Sequence, residues 1–355
     1  EHDLAHANER IRPSRRMAEI SGRRTPESPL LGHKDELVAD KLAAYLVDSD
    51  AGALFSPTAI SDLWACELRF YLKHLLKIRP PDTFSAVVEH DEIGNLLHKT
   101  MELFYEGNTD GEKSCALDGY VVRYGRRLER AALETHARLT DNFIAEAMRK
   151  IHLDPERMRT GENWIRYNVV VEMVKQIVAA DLEAVSKHDE ILIAATEKSV
   201  DSQIPFDIEG RTTAVRIGGK LDRIDRRDGR FYVLDYKTGR GEAKIRRSKK
   251  TNRLVFDPYA LQGLIYARMF HERIAPDAPP PKIGLYMPAL GGETLKTFDD
   301  DYIESADGEP SPYDELPELL SQSFSQIYSS DFAFRQTDER RECVFCAYRN
   351  MCMRN

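Results

Sequence analysis

Residues 214–238 read A-V-R-I-G-G-K-L-D-R-I-D-R-R-D-G-R-F-Y-V-L-D-Y-K-T. Two strand-like runs flank Asp228-Gly229, and such a pair closes a two-residue hairpin because type I′ geometry needs positive φ at both central positions. With those residues as the loop, Arg227 faces Arg230, and counting outward in step sets Asp222 opposite Asp235. Directly opposed residues share a face with Cβ atoms about 5 Å apart, where like charges destabilise a sheet. A divalent cation between the two carboxylates turns that repulsion into a binding site. Lys237 follows Asp235 by two residues and so points to the same face. Oxygen ligands meeting at one point suit Mg²⁺ or Mn²⁺, and a neighbouring ammonium steadies an attacking water or the charge growing on a phosphate. The competing reading is an exposed Asp/Lys ladder on an ordinary hairpin.

Outward from the hairpin, charge is unevenly spread. The chain carries a net charge of −8, which by itself argues against a nucleic-acid partner, yet Leu221 to Arg253 holds twelve Lys/Arg against five Asp/Glu. Within it, Arg246-Arg247-Ser248-Lys249-Lys250-Thr251-Asn252-Arg253 contains no acid. Such a run is either a solvated face or a track for a phosphate backbone. With 355 residues, 42% hydrophobic and 31% charged, the chain can bury a large core, and no apolar run approaches the roughly 18 residues of a membrane span. No signal peptide is recognisable, and the odd count of five cysteines fits a reducing compartment, so a cytoplasmic protein is expected.

Periodicity predicts helices near 35–48, 58–76, 92–106, 121–151, 160–188, 257–273 and 315–328, with strands near 191–200, 212–226, 230–237, 282–288 and 294–298. That order predicts an α/β core with a helical insertion over about 107–190. Residues 1–53 read as a linker and a lead-in helix, and 54–355 as the folded domain.

Cysteines stand at both ends. Cys66 is alone in W-A-C-E-L-R-F-Y-L, a stretch that reads as helix, while Cys343, Cys346 and Cys352 close the chain as C-V-F-C-A-Y-R-N-M-C. Three thiols within ten residues suit a cluster or structural metal better than disulfides, with Cys66 placed to complete four. An iron–sulfur cluster, a zinc site and unligated thiols all remain open on spacing alone. Cys115 has no partner spacing. In E-I-G-N-L-L-H-K-T-M-E-L-F, His98 lies beside a buried helix face, and in P-Y-A-L-Q-G-L-I-Y, Gln262 and Tyr266 stand one turn apart; neither pattern is informative by itself.

In order along the chain, these motifs resemble the RecB-like branch of the PD-(D/E)xK nucleases, and the cysteine frame resembles its iron–sulfur members, such as the nuclease domain of AddB-type helicase–nuclease subunits. The resemblance runs from about Ser56 to Cys352. It implies a restriction-endonuclease-like core, a mixed sheet flanked by helices, closed by a 4Fe-4S clasp on Cys66, Cys343, Cys346 and Cys352. G-N-L-L-H matches the family's G-x-x-x-H and implies His98 as a metal ligand. G-K-L-D implies Asp222 as another; L-D-Y-K implies Asp235 and the Tyr236 carbonyl as ligands and Lys237 as the catalytic lysine. Gln262 and Tyr266 fit a Q-x-x-x-Y motif used near DNA. Glu67 departs from the proline commonly found after the first cluster cysteine. The expected activity is Mg²⁺- or Mn²⁺-dependent cleavage of single-stranded DNA or DNA ends, with Arg246, Arg247, Lys249 and Lys250 on the backbone, a helicase partner and a role in recombination and repair. The lead-in before Ser56 and the absence of an initial Met read as an excised C-terminal domain. A non-catalytic DNA-binding scaffold is the alternative.

Overall fold

Two turns with positive φ at both central residues build the sheet: Asp228 and Gly229 at +45° and +85°, and Glu209 and Gly210 at +48° and +85°. They join β3 (Ile191–Ile208), β4 (Arg211–Arg227) and β5 (Arg230–Tyr236) into an antiparallel meander. The computed structural model describes residues 31–79, 88–106, 126–239, 241–248, 253–288, 293–298, 300–303 and 310–354. Cys115, Lys249, Lys250 and most of the lead-in segment fall outside these.

The chain divides into a larger unit, Leu42–Ser61 with Asp82–Ser329, and a smaller one, Glu1–Lys41, Asp62–Pro81 and Ser330–Asn355. In the larger unit the strands run in the order β2 (Arg126–Arg127), β3, β4, β5, β8 (Lys282–Tyr286), β9 (Leu295–Thr297). The β5–β8 pair is parallel and every other pair in this sheet antiparallel, so the sheet is mixed. A parallel pair needs a crossover. Here it contains the short hairpin β6 (Ile245–Arg247) and β7 (Leu254–Phe256) and helix α9 (Pro258–Arg273).

Alternation along β5 divides the core. Phe231, Val233 and Asp235 point to the side of α9, where Phe270 packs on Phe231 at 5.1 Å. Leu234 and Tyr236 point the other way, into one apolar cluster with Leu97, Met101 and Phe104 of α4 (His90–Glu106). The same cluster takes in α5 (Arg130–Ala137), α6 (Thr140–Lys150), α7 (Pro155–Met158) and α8 (Gly161–Lys187). This is an α/β fold with helices on both faces of a mixed sheet, consistent with a restriction-endonuclease-like core.

The second face carries buried charge. Arg223 is fully buried, donating to Asp225 at 2.6 and 2.8 Å and to Asp181 of α8 at 2.7 Å. Arg227 donates to Asp225 at 2.9 Å, and the Tyr105 and Tyr286 hydroxyls donate to Asp181. Two guanidinium groups meet two carboxylates, so each desolvated charge has an opposite neighbour. This accounts for the odd-numbered polar residues of D-R-I-D-R-R, which a half-buried strand would otherwise leave without partners.

Two expected helices are broken. The stretch 121–151 holds β2, α5 and α6 in its described part, parted at Arg138 and Leu139; α5 buries Leu133 and His136 and α6 buries Ile144, Ala147 and Met148. The stretch 58–76 becomes α2 (Pro57–Ala65), α3 (Glu67–Phe70) and a π-turn, Tyr71–Leu75. The break is Cys66 itself, extended at φ −164° and ψ 110°. The basic run, where periodicity placed no element, contributes Arg246 and Arg247 to β6, and β7 follows Arg253.

In the smaller unit, β1 (Leu31–Gly32) pairs antiparallel with β10 (Phe334–Arg335). A Cβ on Gly32 would stand 2.7 Å from the Tyr71 ring, so glycine is required by that close approach. The Tyr348 hydroxyl donates to the Ile78 carbonyl at 2.7 Å and ties the cysteine-bearing end down.

Candidate active site

The β4–β5 ladder runs from Arg227↔Arg230 to Arg223↔Leu234, and one step further in the same register come Asp222 and Asp235. Both are buried, and Asp222 Oδ2 accepts the Tyr236 N–H at 2.8 Å. Burial, and then the charge of Asp222, push the Asp235 carboxyl up to about 7, against the pull of Lys237. Two apposed carboxylates in one buried place thus resist carrying both charges.

A third carboxylate joins them from β3. Pairs Thr196↔Arg223 and Lys198↔Leu221 set Glu197 opposite Asp222. Glu197 has φ +48°, a left-handed conformation that costs a non-glycine residue about 1–3 kcal/mol and recurs at functional sites. Its Oε2 pairs with Lys220, while Oε1 is buried without a hydrogen-bond partner. Burial, helped by the Asp222 charge, raises its carboxyl. No motif pointed to Glu197; the signal available was the Glu209-Gly210 turn, whose register carries Glu197 to Asp222.

His98 comes from α4, with Nδ1 3.2 Å from Asp222 Oδ1 and 3.9 Å from Glu197 Oε1. Burial opposes its charged form, but the hydrogen bond and charge of Asp222, with Asp235 and Glu197 behind, hold its pKa at about 9. His98, Glu197 and Asp222 each offer a ligand atom within 4.8 Å of the others. One imidazole nitrogen, clustered carboxylates and an orphaned buried oxygen form a donor set that fits a hard divalent ion.

Lys237 stands at the edge of this group. Its Nζ lies 2.5 Å from Asp235 Oδ2 and donates to Gln262 Oε1 at 2.7 Å, while Gln262 Nε2 donates to Asp235 Oδ1 at 3.1 Å. Gln262, on α9, therefore bridges the lysine and the carboxylate. Tyr266, one turn on, is buried against Gly219, where a Cβ would stand 2.7 Å from the ring. A cleft of about 350 Å³ opens here, lined by Pro57, Thr58, Ser61, His98, Lys237 and Tyr259 among others. The basic run is partly neutralised: Arg246 pairs with Asp257 at 2.9 Å and Arg247 with Glu315.

In the smaller unit Cys66, Cys343, Cys346 and Cys352 line one pocket with Arg69, Glu342 and Arg349. Burial pushes the Cys343 thiol up, and the nearby Cys66 and Cys346 add to it. Four thiols on one pocket suit a soft metal or a cluster.

Fold and site together give an α/β domain consistent with a restriction-endonuclease-like core, with acids, a histidine and a lysine gathered where the interior of β4 lies beside the end of β5. Residues 54–353 match the PD-(D/E)XK nuclease superfamily, and the chain belongs to that family. Membership implies a nuclease acting on DNA. One similar solved structure, "Crystal structure of SSO0001", is 16% identical, covering 72% of this chain and 94% of that chain, at a TM-score of 0.26. A likeness so loose carries no further weight. No curated protein matches the chain. Among the described residues, no helix is long and apolar enough to cross a membrane.

Proposed function

We propose that this chain is a Mg²⁺- or Mn²⁺-dependent deoxyribonuclease that hydrolyses phosphodiester bonds of single-stranded DNA or DNA ends. The observation that carries this reading is the convergence of Asp222, Asp235, His98 and Glu197 beside Lys237, with the Asp235 carboxyl pushed up by burial and by the charge of Asp222. Asp222, Asp235, His98 and the Tyr236 carbonyl hold the ion, and Glu197 adds a free carboxylate oxygen. A divalent ion held by these residues would supply Lewis-acid polarisation of a phosphate oxygen and a water of lowered pKa. Lys237 places its positive charge where the phosphate gains negative charge, and Gln262 keeps that ammonium aimed. The cleft admits the strand between α2 and the start of α9, and the basic residues Arg246, Arg247, Lys249 and Lys250 supply charge for its phosphate backbone.

The four thiols of the smaller unit hold a 4Fe-4S cluster that clasps Cys66 to the C-terminal trio. The domain works beside a helicase, as in AddB-type subunits of recombination and repair, in the cytoplasm. Residues 54–355 form the nuclease domain, with 107–190 as its helical insertion. The test is digestion of end-labelled single- and double-stranded DNA with Mg²⁺ or Mn²⁺, with and without EDTA. Visible absorption of anaerobically purified protein tests the cluster.

A further inference from the structure

Lys237 has a third contact. Its Nζ lies 5.0 Å from the centroid of the Tyr259 ring, within the range where a cation is attracted to an aromatic face. An ammonium has three N–H groups to place; Gln262 accepts from one direction, Asp235 forms an ion pair on another, and the ring face lies on a third. A carboxylate that also served a cation would have less charge to offer its lysine. Gln262 and Tyr259 then remain to hold the ammonium.

The ring is itself seated with care. Tyr259 follows Asp257-Pro258 in the first turn of α9, where Asp257 is the N-cap and the proline pre-sets the helical φ. Its edge lies on the loop that leaves Lys237. A Cβ on Gly241 would stand 2.3 Å from Tyr259 Cε2, and one on Gly239 would stand 3.0 Å from the hydroxyl. What both glycines supply is room for the ring. One ring thus meets the loop on its edge and the lysine on its face, and lines the cleft.

We infer that Tyr259 is a positioning residue: seated on Gly239 and Gly241, its ring face holds the Lys237 ammonium toward the cleft. The inference rests on the reading of Lys237 as catalytic, and Lys237→Ala tests that reading separately. In the full chain, Tyr259→Leu is expected to lower kcat about 10- to 30-fold, the range of a partly desolvated cation–π contact. KM for single-stranded DNA and the Mn²⁺ affinity should stay within about twofold. Tyr259→Phe, which keeps the ring, should recover most of the loss, and Gly241→Ala should reproduce it by pushing the ring away. In metal-free protein, reductive methylation of Lys237, read by mass spectrometry, should speed up several-fold in Tyr259→Leu, since the side chain is 14% exposed now. A raised KM with unchanged kcat makes Tyr259 a DNA contact and overturns the inference. So does a Phe variant as impaired as Leu, or an unchanged methylation rate. If Lys237→Ala cleaves at the wild-type rate while the methylation rate responds as expected, the catalytic reading falls and the packing of lysine on ring stands alone.

Discussion

Asp235→Asn should stabilise the metal-free protein while abolishing cleavage. The folded state raises the carboxyl from 3.8 to about 7, so it binds a proton more tightly than the unfolded chain does. Each factor of ten is 1.36 kcal/mol, which sets a ceiling of roughly 4 kcal/mol on the cost of ionising Asp235 above pH 7 without a cation. The sign follows. A raised carboxyl contributes its full stability below pH 3.8 and loses it as pH climbs through about 7. His98 works in the same direction: its contribution is complete below pH 6.5 and lost as pH rises through about 9. Asparagine mimics the protonated carboxyl but removes the charge that pairs with Lys237 and helps to hold His98 up, so a net gain of about 1–2 kcal/mol is expected, or a few degrees in melting temperature for a domain of this size. The assay is thermal unfolding in EDTA at pH 5 and pH 8. Wild type should melt lower at pH 8 and be rescued by Mn²⁺; the variant should lose less with pH and gain little from the ion. A variant less stable than wild type at pH 8 in EDTA would refute the reasoning.

Glu197→Gln should weaken Mn²⁺ binding by about tenfold and lower kcat/KM while leaving DNA affinity in EDTA unchanged, measured by calorimetry and by fluorescence anisotropy. Arg223→Met leaves Asp181 and Asp225 buried with lost partners, and a loss of about 3–5 kcal/mol is expected by denaturant unfolding. Cys66→Ser should remove visible absorption and lower the melting temperature. Cys66 and Cys343 are 277 positions apart, and closing so long a loop is worth on the order of 5 kcal/mol in the chain-entropy picture. Full absorption with unchanged melting would exclude Cys66 as a ligand.

The hairpin was legible because Asp228-Gly229 has few alternatives, and its register carries straight to the neighbourhood of Asp222 and Asp235. Glu197 was not, because Glu209-Gly210 is a weaker turn signal and a left-handed residue in mid-strand is invisible to alternation. The break at Cys66 escaped detection since W-A-C-E-L-R-F has uninterrupted helical periodicity and no proline or glycine. The basic run read as free charge because its counter-ions lie outside it: Asp257 is 11 positions from Arg246 and Glu315 is 68 from Arg247. Tyr259 was seen only as part of a helix start, since its meaning depends on a loop some twenty residues earlier.

The central claim is that Lys237 and the clustered acids cut DNA. Wild type and Lys237→Ala should be incubated with end-labelled single-stranded DNA in Mn²⁺ and in EDTA, with binding followed on the same substrate. Cleavage by wild type in Mn²⁺ alone, with Lys237→Ala binding DNA as well but cutting at least a hundredfold more slowly, is the expected result. Equal cleavage by both proteins, or cleavage undiminished in EDTA, would contradict it.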